Sequence, residues 1–148
     1  MITVAEENAA TCIGTLCHLY AEHGKEVIGK DFNLNLAMFV EASVSGRMRF
    51  IVARDSKGEA IGYACFSIYR DGMKADSISA DCQAIYVKPE YRGKTSIRII
   101  KVAENEFRKS GVSRIYMHIP SSTPQVARMF TKPKMGYIHS EYMLEKEL

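Results

Sequence analysis

The chain has 148 residues, 47% apolar and 25% charged, enough length for one domain with a sizeable core and a composition that excludes disorder. Met1 to Ala10 carries Glu6 and Glu7 without a basic stretch leading into an apolar run, and no segment approaches about 18 consecutive apolar residues; neither a signal peptide nor a membrane span is predicted, and a cytoplasmic location is expected. The net charge of +3 hides an asymmetry, because residues 88 to 134 hold eleven Lys or Arg against three Asp or Glu while the remainder holds nine against fourteen. A polyanionic ligand suits the first segment and a cationic partner the rest, whereas nucleic acid is disfavoured because no dense basic run alternates with aromatics.

Ile2 to Val4 reads as a short first strand. Ile13, Leu16, Cys17 and Tyr20 then recur at helical spacing on a first helix expected to close near Gly24. Leu36, Phe39, Val40 and Val44 mark a second helix ending near Gly46, with an acidic, flexible connection from Glu22 to Asp31 between the two. Met48 to Arg54, Ala60 to Tyr69 and Ala75 to Val87 read as strands, separated by the turns Asp55 to Gly58 and Asp71-Gly72, so they form an antiparallel meander. A helix follows from Thr95 to Ser110, with Ile97, Ile100, Ala103 and Phe107 on one face and Gly111 as its stop. The strand Ser113 to His118 must lie parallel to the strand before that helix, because a strand, crossover helix and strand make a right-handed βαβ unit. Ser121, Ser122 or Thr123 caps a last helix that has Pro124 in its first turn, and Tyr137 to Glu145 is the closing strand. The expected fold is α/β, a single domain over 1–148: a mixed sheet of an antiparallel meander plus a parallel βαβ unit, flanked by helices. Cys12, Cys17, Cys65 and Cys82 have neither CxxC spacing nor a nearby His pair, so free thiols and no metal are expected.

The most informative stretch is AIYVKPEYRGKTSIRIIK, residues 84–101, where an apolar strand enters a basic, glycine-containing turn and passes straight into an amphipathic helix. The unpaired N–H groups of a helix N-terminus attract anions, and Arg92, Lys94, Thr95 and Ser96 add charge and hydroxyl donors around them, so a phosphate or pyrophosphate is the expected ligand. Gly93-Lys94-Thr95 has the letters of a nucleotide-binding P-loop, but the glycine that motif needs five positions earlier is Lys88, and the next strand ends without a magnesium-binding Asp. The stretch instead resembles motif A of the GNAT-superfamily N-acyltransferases, through Tyr86 and Val87 at the strand end and Pro89, Tyr91, Arg92 and Gly93 in the turn. The order of elements over nearly the whole chain is similar too, and within the family the run RGKTSIRIIK is closest to phage-encoded members, which would place the protein in a host cytoplasm. Thr95 and Ile97 stand where motif A usually has small residues; in a register shifted by one, Ser96 takes the last small position.

The resemblance implies acetyl-CoA as cosubstrate, with Ile85, Tyr86 and Val87 beside the pantetheine and Arg92, Gly93, Lys94, Thr95, Ser96 and Ile97 around the diphosphate. Arg98, Lys101 and Lys109 are candidates for the 3′-phosphate. It implies direct attack by an amine acceptor, a protein lysine or a small molecule, on the thioester in a ternary complex; monomer and homodimer both remain open. A primary amine must lose a proton before it attacks. Asp81, six residues before Val87, matches the place of the general-base Glu in histone-acetylating members. His118, at the end of the neighbouring strand, is the second candidate because its ordinary pKa suits neutral pH. The family's thiolate-protonating Tyr is replaced by Phe130, counted four residues after Val126, which leaves Tyr137 and Tyr142 as substitutes. The same losses suit a degenerate member that binds coenzyme A or a protein partner without catalysis.

Overall fold

The computed structural model describes residues 1–119, 123–138 and 146–147. They fall into two compact units, 1–117 and 118–148. In the first, five strands form one sheet in the order β1-β2-β3-β4-β5, made of Thr3–Glu7 (β1), Met48–Arg54 (β2), Ala60–Asp71 (β3), Lys74–Val87 (β4) and Arg114–Met117 (β5). The first four pair antiparallel and β5 runs parallel to β4, as the crossover helix between them requires. This mixed sheet is the one expected from the meander and the βαβ pattern.

Strand alternation sends successive side chains to opposite faces. On one face Phe66 meets Phe107 of α4 (Lys94–Lys109) edge-on, with ring centroids 4.9 Å apart. On the other, Tyr63 meets Tyr20 of α2 (Cys17–Ile28) at 4.8 Å and Phe50 meets Phe39 of α3 (Leu36–Val44) at 6.2 Å. A short helix α1, Ala9–Cys12, capped by the Asn8 side chain, leads into α2 through a 3₁₀ turn. The stripe that α4 buries is Thr95, Ile99, Ile100, Ala103 and Phe107. Ile97, expected on that face, is only half-buried, because Ile99 and not Ile97 stands four residues before Ala103.

Gly24 does not end the first helix. The helix runs through it to Ile28 and stops at Gly29, whose φ of 74° is left-handed and whose N–H bonds the Lys25 carbonyl, the usual glycine C-terminus. Most of the connection expected over Glu22 to Asp31 is therefore helical. Gly24 has a packing role: a Cβ built on it would stand 2.5 Å from the Lys30 oxygen and 2.9 Å from the Phe32 nitrogen, both main chain. Gly24→Ala should destabilise the protein by about 1–3 kcal/mol despite the better helix propensity of alanine. Gly14→Ala, where a Cβ meets nothing within 4 Å, should be neutral or stabilising; the denaturant midpoints of the two variants check the pair.

In the second unit, α5 spans Pro124–Phe130, with Thr123 before it making no side-chain cap, and a 3₁₀ turn covers Pro133–Met135. Ser121, Ser122, Tyr142 and nearly all of the closing strand expected over 137–145 lie outside the described residues. No helix among the described residues is long and apolar enough to cross a membrane.

Candidate active site

The site is built on the second half of β4. Between Cys65 and Phe66 of β3 the register on β4 steps from Ala84 to Cys82, so Gln83 is an extra residue in a β-bulge. On the far side of β4, β5 pairs only with Ser79 to Cys82, so beyond the bulge β5 no longer covers that edge. The Lys88 N–H donates to the Ile61 carbonyl on β3 at 2.9 Å. Amide direction alternates along a strand, so the N–H groups of Ile85 and Val87 point to the open edge. An extended ligand with amide groups can hydrogen-bond there as an added strand.

The strand then enters the turn. A 3₁₀ turn over Pro89–Tyr91 brings the chain to Gly93, whose φ of 84° and ψ of −100° suit glycine alone. Gly93 is the N-cap of α4 and no side chain caps the helix; the first helical bond is from the Ile97 N–H to the Gly93 carbonyl at 3.1 Å. The N–H groups of Lys94, Thr95 and Ser96 precede that bond, and α4 runs sixteen residues behind them, so the arrangement favours an anion on geometry and on helix dipole together. Lys94 is exposed, Ser96 and Ile97 are half-buried, and Thr95 is buried. The donors that this turn offers an anion are therefore mainly backbone.

Arg92 is engaged elsewhere. Its Nε donates to the Val87 carbonyl at 2.8 Å, its Nη2 pairs with Glu26 at 2.6 Å, and its guanidinium lies 5.6 Å from the Tyr86 ring centroid. Lys88 pairs with Glu22 at 3.6 Å, and the Tyr86 hydroxyl donates to the same carboxylate at 3.3 Å. Glu22 and Glu26 are one turn apart on α2, so this helix pins both cations that flank the turn. His23 lies between those glutamates in sequence. Its ring stacks on Tyr86 at 5.0 Å, meets Phe32 edge-on at 5.1 Å, and bonds the Tyr63 hydroxyl through Nδ1 at 2.8 Å. Burial lowers its pKa against the opposing influence of Glu26, and Arg92 lowers it further. The pairing of Glu22 and Glu26 with Lys88 and Arg92 was not foreseen, because the helix was expected to close near Gly24, short of Glu26; the spacing of the two glutamates was the available signal.

Of the candidate catalytic groups, Asp81 is half-buried on β4 just before the bulge, opposite Ser67 on β3 and Tyr116 on β5. His118 and Tyr137 belong to the second unit. His118 is exposed directly after β5, which ends at Met117, and Tyr137 packs edge-on against Phe130 at 5.5 Å. Among the 3′-phosphate candidates, Arg98 donates to the Ile2 carbonyl at 2.7 Å and Lys109 pairs with Glu106 at 2.7 Å, while Lys101 is exposed. The buried thiols of Cys12 and Cys65 are pushed up to about 11 and about 12, chiefly by burial, so neither is a nucleophile at neutral pH. A groove of about 700 Å³ between β1 and the second half of α4 and a smaller one of about 330 Å³ under the loop after α2 both lie away from the turn.

Structural likeness is broad. Over 99% of this chain and 100% of the other, the fold matches a ribosomal-protein-alanine N-acetyltransferase from Brucella melitensis biovar Abortus 2308 at a TM-score of 0.73 and 15% identity. The aminoglycoside acetyltransferase AAC(6')-Iy, solved with the bisubstrate analogue CoA-S-monomethyl-acetylneamine, matches at a TM-score of 0.77 and 16% identity over 100% of this chain and 98% of the other. A third match, at 0.73 and 12% over the same shares of the two chains, is the aminoglycoside 6'-N-acetyltransferase AAC(6')-Ih from Acinetobacter baumannii. A comparison with curated proteins finds no significant match. The family model described as the acetyltransferase (GNAT) family matches residues 16–137, a span that holds the open strand, the phosphate turn and Asp81: the chain belongs to the GNAT acetyltransferase family.

Proposed function

We propose that this acetyltransferase moves an acetyl group from acetyl-CoA to a primary amine by direct attack in a ternary complex. The observation that carries the reading is the open edge of β4 running into an uncapped helix N-terminus, which matches a ligand that is an extended diamide ending in a diphosphate. The N–H groups of Ile85 and Val87 would take the pantetheine amides and polarise the thioester carbonyl, with Tyr86 between them. Gly93, Lys94, Thr95, Ser96 and Ile97 would hold the diphosphate, and Arg92, tied to Val87 and Glu26, would shape the turn. Asp81 would take the proton from the incoming ammonium. As the amine nitrogen bonds to the acyl carbon, the C–S bond breaks and the thiolate leaves. A thiol pKa near 8.5 makes that departure easy, so solvent suffices as its proton source. With a cytosolic cosubstrate, the cytoplasm is the place of action.

The acceptor is an amine on a small molecule or a protein, a range that takes in the aminoglycosides and the ribosomal protein named for the similar structures. A second reading, coenzyme A binding without turnover, draws on Phe130 and on an Arg92 already committed to Glu26. Acetyl-CoA at a hundred times its dissociation constant should stabilise the fold by about 2.7 kcal/mol, and ATP with magnesium by markedly less; thermal shift with both ligands checks this. An equal shift with ATP would overturn the cofactor assignment. Stabilisation without thiol release on any of a set of amines would favour the second reading.

A further inference from the structure

Directly paired strand residues share a face of the sheet, and two such rows lie past the aromatic core on the α2 side. The first is Ser67, Asp81 and Tyr116, and the second is Tyr69, Ser79 and Arg114. They continue the face that carries Tyr63 and Cys65, because Ser67 and Tyr69 follow those residues at even spacing on β3. The bulge residue Gln83 closes the first row toward the open strand, its Nε2 donating to the Ser67 Oγ at 3.0 Å. An acceptor whose nitrogen reaches a thioester held at Ile85 and Val87 must therefore lie over these rows.

The chemistry along them changes sign. Asp81 supplies a carboxylate in the row nearer the bulge. Tyr69 is 42% exposed, and its phenol is pushed above its ordinary pKa by burial and next by the charge of Asp81 and the Tyr116 phenol, so the three side chains sense one another. One row further out stands Arg114, exposed on β5. Arg49 and Arg54 on β2 each pair with a glutamate of β1; the Arg114 side chain makes no ion pair or hydrogen bond among the described residues, its pairing with β4 being through the backbone. Two residues along a strand span about 7 Å, the offset between the carboxylate row and the arginine row.

We propose that this face takes a zwitterionic acceptor, a primary amine with an acid group about 7 Å from its nitrogen. The ammonium sits at Asp81, the carboxylate or phosphate at Arg114, and the connecting chain lies beside Tyr69 and Tyr116. The assignment rests on the acetyl-transfer reading and deepens it: the acceptor is a small amino acid-like molecule and not a polycation, since a second ammonium would meet Arg114.

Three amines of one chain length test it: 6-aminohexanoate, hexylamine and 1,6-diaminohexane, compared by kcat/KM for thiol release at saturating acetyl-CoA. The acid should be preferred over hexylamine by about three- to tenfold, in keeping with a partly exposed charge pair, and the diamine should be the poorest. Arg114→Gln should erase the preference and Arg114→Glu should turn it toward the diamine, both with unchanged stabilisation by acetyl-CoA. Tyr69→Ala should raise the KM for the acid while Tyr69→Phe keeps it. A wild-type preference for hexylamine or the diamine overturns the proposal, as does a preference that survives Arg114→Glu or turnover of none of the three while acetyl-CoA still stabilises the protein. Absence of that stabilisation in the wild type would instead bring down the acetyl-transfer reading beneath it.

Discussion

Ser96→Glu should weaken coenzyme A binding by about 10- to 100-fold without unfolding the protein. Ser96 is the third residue of α4, in the turn whose N–H groups lack intrahelical partners. A carboxylate there competes for the donors the diphosphate needs and repels it across a few ångströms, which at the effective dielectric of a protein surface amounts to about 1.5–3 kcal/mol. The same carboxylate suits the helix: an acid in the first turn interacts favourably with the dipole by about 0.3–1 kcal/mol, so the melting temperature without ligand should hold or rise. Opposite movements of affinity and stability are the signature, because a merely damaged fold would lower both. Gly93→Pro loses affinity by a different route, since proline holds φ near −65° where the turn has 84°. Titration calorimetry with coenzyme A and thermal melts of the free variants read both effects. Full affinity in Ser96→Glu with an intact melt would mean that the phosphates bind elsewhere.

The strands of the meander and α4 were legible because their signals are local. Met48 to Arg54 forms the strand that its apolar run announces, and Gly111, with a φ of 83°, follows α4 as the C-terminal glycine the pattern predicts. What escaped the sequence depends on partners far along the chain. Gly24 looks like a helix stop, yet what it meets is the backbone of Lys30 and Phe32 folded back against it, a contact no window of residues displays. That one misreading removed Glu26 from helical register with Glu22, so the pinning of Lys88 and Arg92 by α2, with Arg92 Nε and Nη2 bonded to Val87 and Glu26, was invisible.

The bulge at Gln83 was hidden for a related reason. Gln83 carries none of the glycine or proline punctuation that marks a register break, and the shift exists only against Cys65 and Phe66 on the neighbouring strand. Its consequence for the site is large, since counting by twos from Val87 back to Asp81 would put both side chains on one face. The extra residue resets the alternation, and Asp81 instead shares its face with Ala84 and Tyr86, the side on which α2 packs. The strand, turn and helix of residues 84–101 were therefore readable from local composition and spacing, while the face that carries Asp81 was set by pairing alone.

Asp81→Asn tests that side directly. If Asp81 takes the ammonium proton, the variant should cut turnover by roughly 10² to 10⁴ while coenzyme A affinity stays near wild type, and the acid limb of the rate profile should disappear. Asparagine keeps the shape of the side chain and its place opposite Ser67 and Tyr116, so a loss confined to kcat is a loss of proton acceptance and not of packing. His118→Gln should then change little. Were His118 the base instead, the acid limb would persist in Asp81→Asn and vanish only in the His118 variant, because an imidazole must be neutral to accept a proton. Near-normal turnover in both variants would remove the catalytic role from each and leave deprotonation to solvent or to the acceptor's own neighbours.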